Sequence, residues 1–98
     1  MNIPKTVKIG GIEYKVIYEE MPCRGDANID GQIRYSTAEI SLRSTDAYSK
    51  DYTDYAFIHE CVHGIIAFME IENSEELVCK LSKGLHMFIK DNPNIFKE

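Results

Sequence analysis

The spacing of apolar residues changes near the middle of the chain, from a two-residue repeat to a helical repeat. Residues 6–9 and 12–18 are runs of strand-forming residues separated by two glycines, which is a strong signal for a β-hairpin. Residues 32–36 and 39–42 alternate polar and apolar side chains, as half-buried antiparallel strands do. The first half of the chain therefore predicts a sheet of three or four strands.

The second half predicts two helices. Residues 51–69 carry apolar side chains on almost every side, which indicates a helix packed between the sheet and another element. Its predicted N-cap is Ser49 or Asp51. A second helix follows the capping signal at residues 73–76. Its apolar stripe is centred on Leu81 and consists of Leu77, Val78, Leu81, Leu85, Phe88 and Ile89.

Composition agrees with one globular domain spanning residues 1–98, because 44% of the residues are apolar and 28% are charged. The expected fold class is α+β, with a small antiparallel or mixed sheet of three to four strands followed by two helices. A net charge of −5 argues against a nucleic-acid partner. No apolar run is long enough for a membrane span, and three cysteines, two of them in predicted helices, favour reduced thiols and a cytoplasmic location.

The first predicted helix contains the motif His59-Glu60-Cys61-Val62-His63, which has the pattern H-E-x-x-H. Residues four apart project from one helix face, so the two imidazoles can bind a single tetrahedral Zn²⁺ ion. Glu60 lies alongside, where it can take a proton from a water on the metal. The alternative is a pair of ordinary histidines on an exposed face. Their apolar surroundings argue against it, because each buried polar group without a partner costs about 1–3 kcal/mol.

A catalytic zinc ion normally has three protein ligands, so a third must come from elsewhere in the chain. Glu70 is excluded because it lies seven residues after His63, about 10 Å along the helix axis. Glu75 and Glu76 both lie in the first turn of the second helix, and helix phase favours Glu75. Glu76 remains the alternative, because either carboxylate can interact with the helix dipole while the other binds metal.

In its H-E-x-x-H motif followed by a glutamate on the next helix, the chain resembles the gluzincins. Over most of its length it looks like the minigluzincins and the short phage-type relatives of the ImmA/IrrE metallopeptidases, which implies a minimal zincin-like fold. The resemblance also implies that Glu75 is the third ligand, because Glu75 falls on the first position of the pattern E-x-x-A-[D/N]. Val78 and Cys79 depart from that pattern, so the polar residue that would orient a ligand histidine is missing there, which implies weaker metal binding or slower turnover.

The resemblance implies a zinc-dependent metallopeptidase that acts on a peptide or protein substrate, with Glu60 as the general base. The implied metal ligands are His59, His63 and Glu75. An extended substrate would pair with an edge strand, which we place at residues 38–43. Because a short chain leaves little protein to build specificity pockets, we expect weak or latent activity, and residues 94–98 are a candidate for covering the cleft. The alternative function is a phage-type regulatory or inhibitory protein that binds a host partner. We expect a monomer.

Overall fold

A four-stranded mixed sheet followed by two helices makes up the fold, which confirms the α+β prediction. The computed structural model describes residues 1–20, 30–44 and 46–95, together with the backbone of two short strands between the first two ranges. The elements in chain order are β1 Thr6–Ile9, β2 Ile12–Glu19, β3 Cys23–Arg24, β4 Ala27–Asn28, β5 Gly31–Arg34, β6 Glu39–Arg43, α1 Lys50–Phe68 and α2 Glu75–Asp91.

The predicted glycine hairpin joins β1 to β2. The two strands are antiparallel, with Ile9 opposite Ile12. Gly10 and Gly11 have φ angles of 58° and 83°, which a two-residue hairpin turn of the primed type requires. Gly10 also has no room for a side chain, because a Cβ there would lie 2.3 Å from the ring of Phe68. The end of α1 therefore packs directly on the turn.

The order of strands across the sheet is β1-β2-β6-β5. β6 pairs with β2 in parallel and with β5 in antiparallel orientation, so the edge-strand prediction for residues 38–43 is wrong. Three successive residues of β6, Ile40, Ser41 and Leu42, are 0% exposed, which is typical of a central strand covered on both faces. Edge positions in the described sheet belong instead to β1 and β5.

Helix α1 packs across the sheet on one side and against α2 on another, as its apolar circumference predicts. The hydroxyl groups of Ser49 and Ser74 accept hydrogen bonds from backbone N–H groups in the first turns of the two helices, so both serines are N-caps. At Gly64 the helix comes so close to the sheet that a Cβ would lie 3.0 Å from Cδ1 of Ile33. Neither helix has the length and apolar character needed to cross a membrane, as far as the described residues extend.

Helix α2 buries one flank of its predicted apolar stripe, with Val78 and Ile89 packed inward, and leaves the centre of the stripe exposed. Val78 and Ser82 are 0% exposed at its contact with α1, whereas Leu81, the predicted centre of the buried stripe, is 48% exposed. The reason is that α1 is the main neighbour of α2 among the described elements, and a helix with one neighbour buries only the narrow stripe that touches it. Because α2 contacts α1 through Val78 and Ser82, its neighbouring residues Glu75 and Cys79 face the histidines of α1.

Candidate metal centre

The H-E-x-x-H face of α1 and the first turns of α2 form one wall of a cavity of about 430 Å³ beside β5. All four residues that the sequence analysis assigned to the site line this cavity, namely His59, Glu60, His63 and Glu75. The structure therefore brings together side chains from two helices that are separated by a turn.

Both histidines face one carboxylate group. Nε2 of His59 lies 2.9 Å from Oε1 of Glu75, and Nε2 of His63 lies 3.0 Å from Oε2 of the same residue. The two imidazole centroids are 4.9 Å apart, and the histidine side chains are 13% and 14% exposed. Glu76 does not join them, because its carboxylate forms an ion pair with Lys80 at 3.1 Å. Of the two glutamates that the sequence left open, Glu75 is the one whose carboxylate faces both histidines.

Asn73 orients His63 through two hydrogen bonds. The side-chain amide nitrogen of Asn73 donates to the backbone carbonyl of His63 at 3.2 Å, and Oδ1 of Asn73 lies 2.7 Å from Nδ1 of the ring. Because an amide oxygen only accepts, Nδ1 of His63 carries a hydrogen, and Nε2 is the ring atom that faces Glu75. The sequence analysis assigned Asn73 to the capping signal. The orienting group expected after Glu75 is therefore supplied by a residue before it.

The pKa of the Glu75 carboxyl group depends on the two imidazoles beside it. Burial by itself would raise the pKa of Glu75, but the charges of His59 and His63, with hydrogen bonds from His59 and Cys79, lower this pKa below its ordinary value. Glu75 is therefore ionised at neutral pH. An ionised carboxylate with two imidazole nitrogens is a set of donors suited to a divalent cation.

Cys79 also belongs to this group of donors. Its Sγ atom donates to Oε1 of Glu75 at 3.6 Å, and the donor atoms of His59, Glu75 and Cys79 all lie within 4.8 Å of one another. Burial and the neighbouring carboxylate raise the pKa of this thiol. The sequence analysis treated Cys79 only as a lost orienting residue. Its spacing of four residues from Glu75, equal to that between the two histidines, was the signal that could have identified it.

Glu60 lies between the histidines and the edge strand β5. The residue is 5% exposed, and a Cβ on Gly31 would lie 3.3 Å from its Oε2 atom. The missing side chain at Gly31 therefore leaves room for the carboxyl group at the strand. This places a titratable oxygen where the cavity meets β5.

A cluster of tyrosines forms another part of the cavity wall. Tyr48 and Tyr52 both donate hydrogen bonds to the carboxylate of Asp30. Burial would raise the pKa of Asp30, but these two bonds help to lower it, and the bond to Asp30 raises the pKa of Tyr52 to about 12. Tyr55 lies closer to the donors, with its ring centroid 5.9 Å from that of His59.

The thiol of Cys61, the imidazole of His86 and the described part of the C-terminal segment lie away from the donors. Cys61 packs against the core, and burial raises the pKa of its thiol to about 12, in agreement with a packing role. His86 approaches Asp51 at 3.4 Å. Asn94 and Ile95 follow the C-terminal end of α2, about 24 Å along the helix from its first residue. The rest of the segment predicted to cover the cleft, residues 96–98, lies outside the described residues.

Comparisons of the chain with protein families, with characterised proteins and with solved structures found no match. The function is therefore proposed from the donor groups of the site and their geometry.

Proposed function

We propose that the chain is a zinc-dependent metallopeptidase, with His59, His63 and Glu75 as metal ligands and Glu60 as the general base. The observation that carries this proposal is the convergence of both imidazole Nε2 atoms of the H-E-x-x-H motif on the single carboxylate of Glu75, at 2.9 and 3.0 Å.

The chemistry of the donors supports a metal cation. Asn73 accepts the hydrogen on Nδ1 of His63, so Nε2 is the ring atom that faces the carboxylate of Glu75. A nitrogen and a carboxylate oxygen at 3.0 Å share either a proton or a cation, and zinc would take the place of the proton. Nitrogen and oxygen ligands of one tetrahedral zinc ion lie about 3.4 Å apart, given bonds of about 2.1 Å, so each of these two nitrogen–oxygen pairs would open by about 0.4–0.5 Å. Imidazole and carboxylate are ordinary zinc ligands.

Zinc, when bound, would supply a Lewis acid that polarises a carbonyl group and lowers the pKa of water. Glu60 would accept the proton lost by the attacking water and later donate it to the departing amine. Its position supports this role, because the carboxyl group lies in the cavity wall next to the histidine ligands and next to β5.

An extended peptide is the proposed substrate. In the described sheet β5 pairs with β6 along one side, and its first residue, Gly31, lines the cavity. A peptide that adds to the other side of β5 by main-chain hydrogen bonds would pass beside Glu60. The proposal includes a monomeric chain and a cytoplasmic location, and the free thiols of Cys61 and Cys79 support the latter.

The test is the substitution Glu60→Gln, with Glu72→Gln on the exposed inter-helix turn as the matched control. Zinc content measured by mass spectrometry should stay at the wild-type level in both variants, because neither substitution removes a ligand. Cleavage of a peptide library should fall by about 10²–10⁴-fold in Glu60→Gln and stay unchanged in the control. Wild-type cleavage rates in zinc-loaded Glu60→Gln would refute the assignment of the base.

The second candidate function is a phage-type regulatory or inhibitory protein that binds a host partner. It is supported by an apolar flank on α2 whose residues are between 38% and 49% exposed: Leu77, Leu81, Leu85 and Phe88. If the chain acts by binding a partner through this flank, its biological effect should survive Glu60→Gln and be lost in Leu81→Asp. If it acts as a peptidase, the effect should be lost in Glu60→Gln and survive Leu81→Asp.

A further inference from the structure

We infer that Cys79 is a fourth protein ligand of the zinc ion, and that its thiolate closes the centre and keeps the peptidase latent. This inference rests on the proposed zinc site and adds a regulatory ligand to it.

The separation between Cys79 and Glu75 matches two ligands of one ion. Zinc binds thiolate sulfur at about 2.3 Å and carboxylate oxygen at about 2.1 Å, so the two atoms lie about 3.6 Å apart at a tetrahedral angle. The distance from Sγ of Cys79 to Oε1 of Glu75 is 3.6 Å. Nε2 of His59 lies 2.9 Å from the same oxygen, and the three residues have donor atoms within 4.8 Å of one another. One ion can therefore contact all three, and His63 would join them from the other oxygen of the same carboxylate, Oε2 of Glu75, which lies 3.0 Å from its Nε2.

The two helices present their donors in the same register. His59 and His63 are four residues apart on α1, and Glu75 and Cys79 are four residues apart on α2, so each helix offers two donors one turn apart. Facing helices in a bundle commonly build metal sites from such pairs. Val78, which is 0% exposed, holds the rotation of α2, so Cys79 stays turned toward the cavity that it lines.

A fourth protein ligand changes what the centre can do. Catalytic zinc sites have three protein ligands and an open position, whereas sites with four protein ligands are closed and structural. The thiolate of Cys79 would take the position that water needs, while His59, His63 and Glu75 would keep the ion bound. A thiolate in the donor set would therefore make the peptidase latent, and removal of the thiolate should restore the open position.

The experiment uses Co²⁺ as the spectroscopic probe in the full chain. A thiolate ligand produces a charge-transfer band in the near ultraviolet, so wild-type protein with one bound Co²⁺ should show the band and Cys79→Ala should lose it. Cys61→Ala is the matched control, because Cys61 packs in the core, and it should keep the band. Cys23→Ser tests the third thiol, whose side chain lies outside the described residues, and it should also keep the band. Cys79→Ala should still bind one zinc ion and cleave a peptide library faster than wild type, and Glu60→Gln in the Cys79→Ala chain should remove that gain.

The outcomes separate the inference from the proposed function. A wild-type chain that binds Co²⁺ without the band, or a band that persists in Cys79→Ala, would overturn the role of Cys79 and leave the three-ligand centre standing. A wild-type chain that binds neither Co²⁺ nor Zn²⁺ would overturn both. Cys79→Ser provides a second variant, and circular dichroism of the metal-free proteins verifies that the substituted chains are folded.

Discussion

Replacing Asn73 with alanine should weaken metal binding while the chain stays folded. The substitution removes the 2.7 Å contact between Oδ1 of Asn73 and Nδ1 of His63, and the 3.2 Å bond to the backbone carbonyl of the same histidine. The imidazole then loses the group that accepts the hydrogen on Nδ1 and so turns Nε2 toward Glu75. The ring of His63 must then be ordered when the metal binds, and this ordering reduces the binding free energy.

Loss of a hydrogen-bond partner of a ligand histidine typically lowers metal affinity 10–100-fold. This range corresponds to about 1.4–2.7 kcal/mol of binding free energy. Asn73 is exposed, so its two bonds compete with water, and the free energy of unfolding of the metal-free chain should fall by about 1 kcal/mol or less. Zinc affinity should therefore change more than stability does.

The assay is a competition titration of zinc against a chromophoric chelator, combined with urea unfolding of the metal-free proteins. Asn73→Asp keeps an acceptor at the same place and should hold zinc within a few-fold of wild type, whereas Asn73→Ala should not. Glu72→Ala, one residue earlier and exposed, is the matched control. Equal zinc affinities for wild type and Asn73→Ala would refute the orienting role, and so would an equal loss in the alanine and aspartate variants.

Two further predictions concern the framework. Gly64→Ala should gain about 0.8–1 kcal/mol from helix propensity, but it places a Cβ 3.0 Å from Ile33 in a packed core, which costs about 1–3 kcal/mol. Urea unfolding should therefore show a free energy of unfolding lower by about 1 kcal/mol, and an increase would contradict the packing argument. Because the hydrogen bond to Asp30 raises the pKa of Tyr52 to about 12, the folded state holds this proton more tightly than the unfolded state. The resulting stabilisation is present below about pH 10 and is lost as the pH rises toward 12. Tyr52→Phe should therefore lose less stability than wild type between these pH values. Identical alkaline unfolding profiles of the two proteins would contradict this role of Tyr52.

The candidate site could be predicted where its residues are close together in the chain. His59, Glu60 and His63 share one helix, so their spacing places them correctly without knowledge of the rest of the fold. The third predicted ligand could be narrowed to Glu75 or Glu76, and helix phase favoured Glu75. Asn73 and Cys79 were missed as site residues, because their roles depend on how α2 sits against α1. The predicted stripe was centred on Leu81, whereas the contact with α1 is centred on Val78 and Ser82.

The sequence by itself determined the glycine hairpin, both helices and the H-E-x-x-H face, and it narrowed each N-cap to a few residues. These features depend on backbone preferences and side-chain spacing within a few residues. Only the tertiary structure decided that β6 is interior and β5 lies at the edge, and that Asn73 and Cys79 belong to the site. Those outcomes depend on which distant segments pack together, because the parallel pairing of β2 with β6 and the burial of Val78 against α1 follow from the shared core and not from any local pattern.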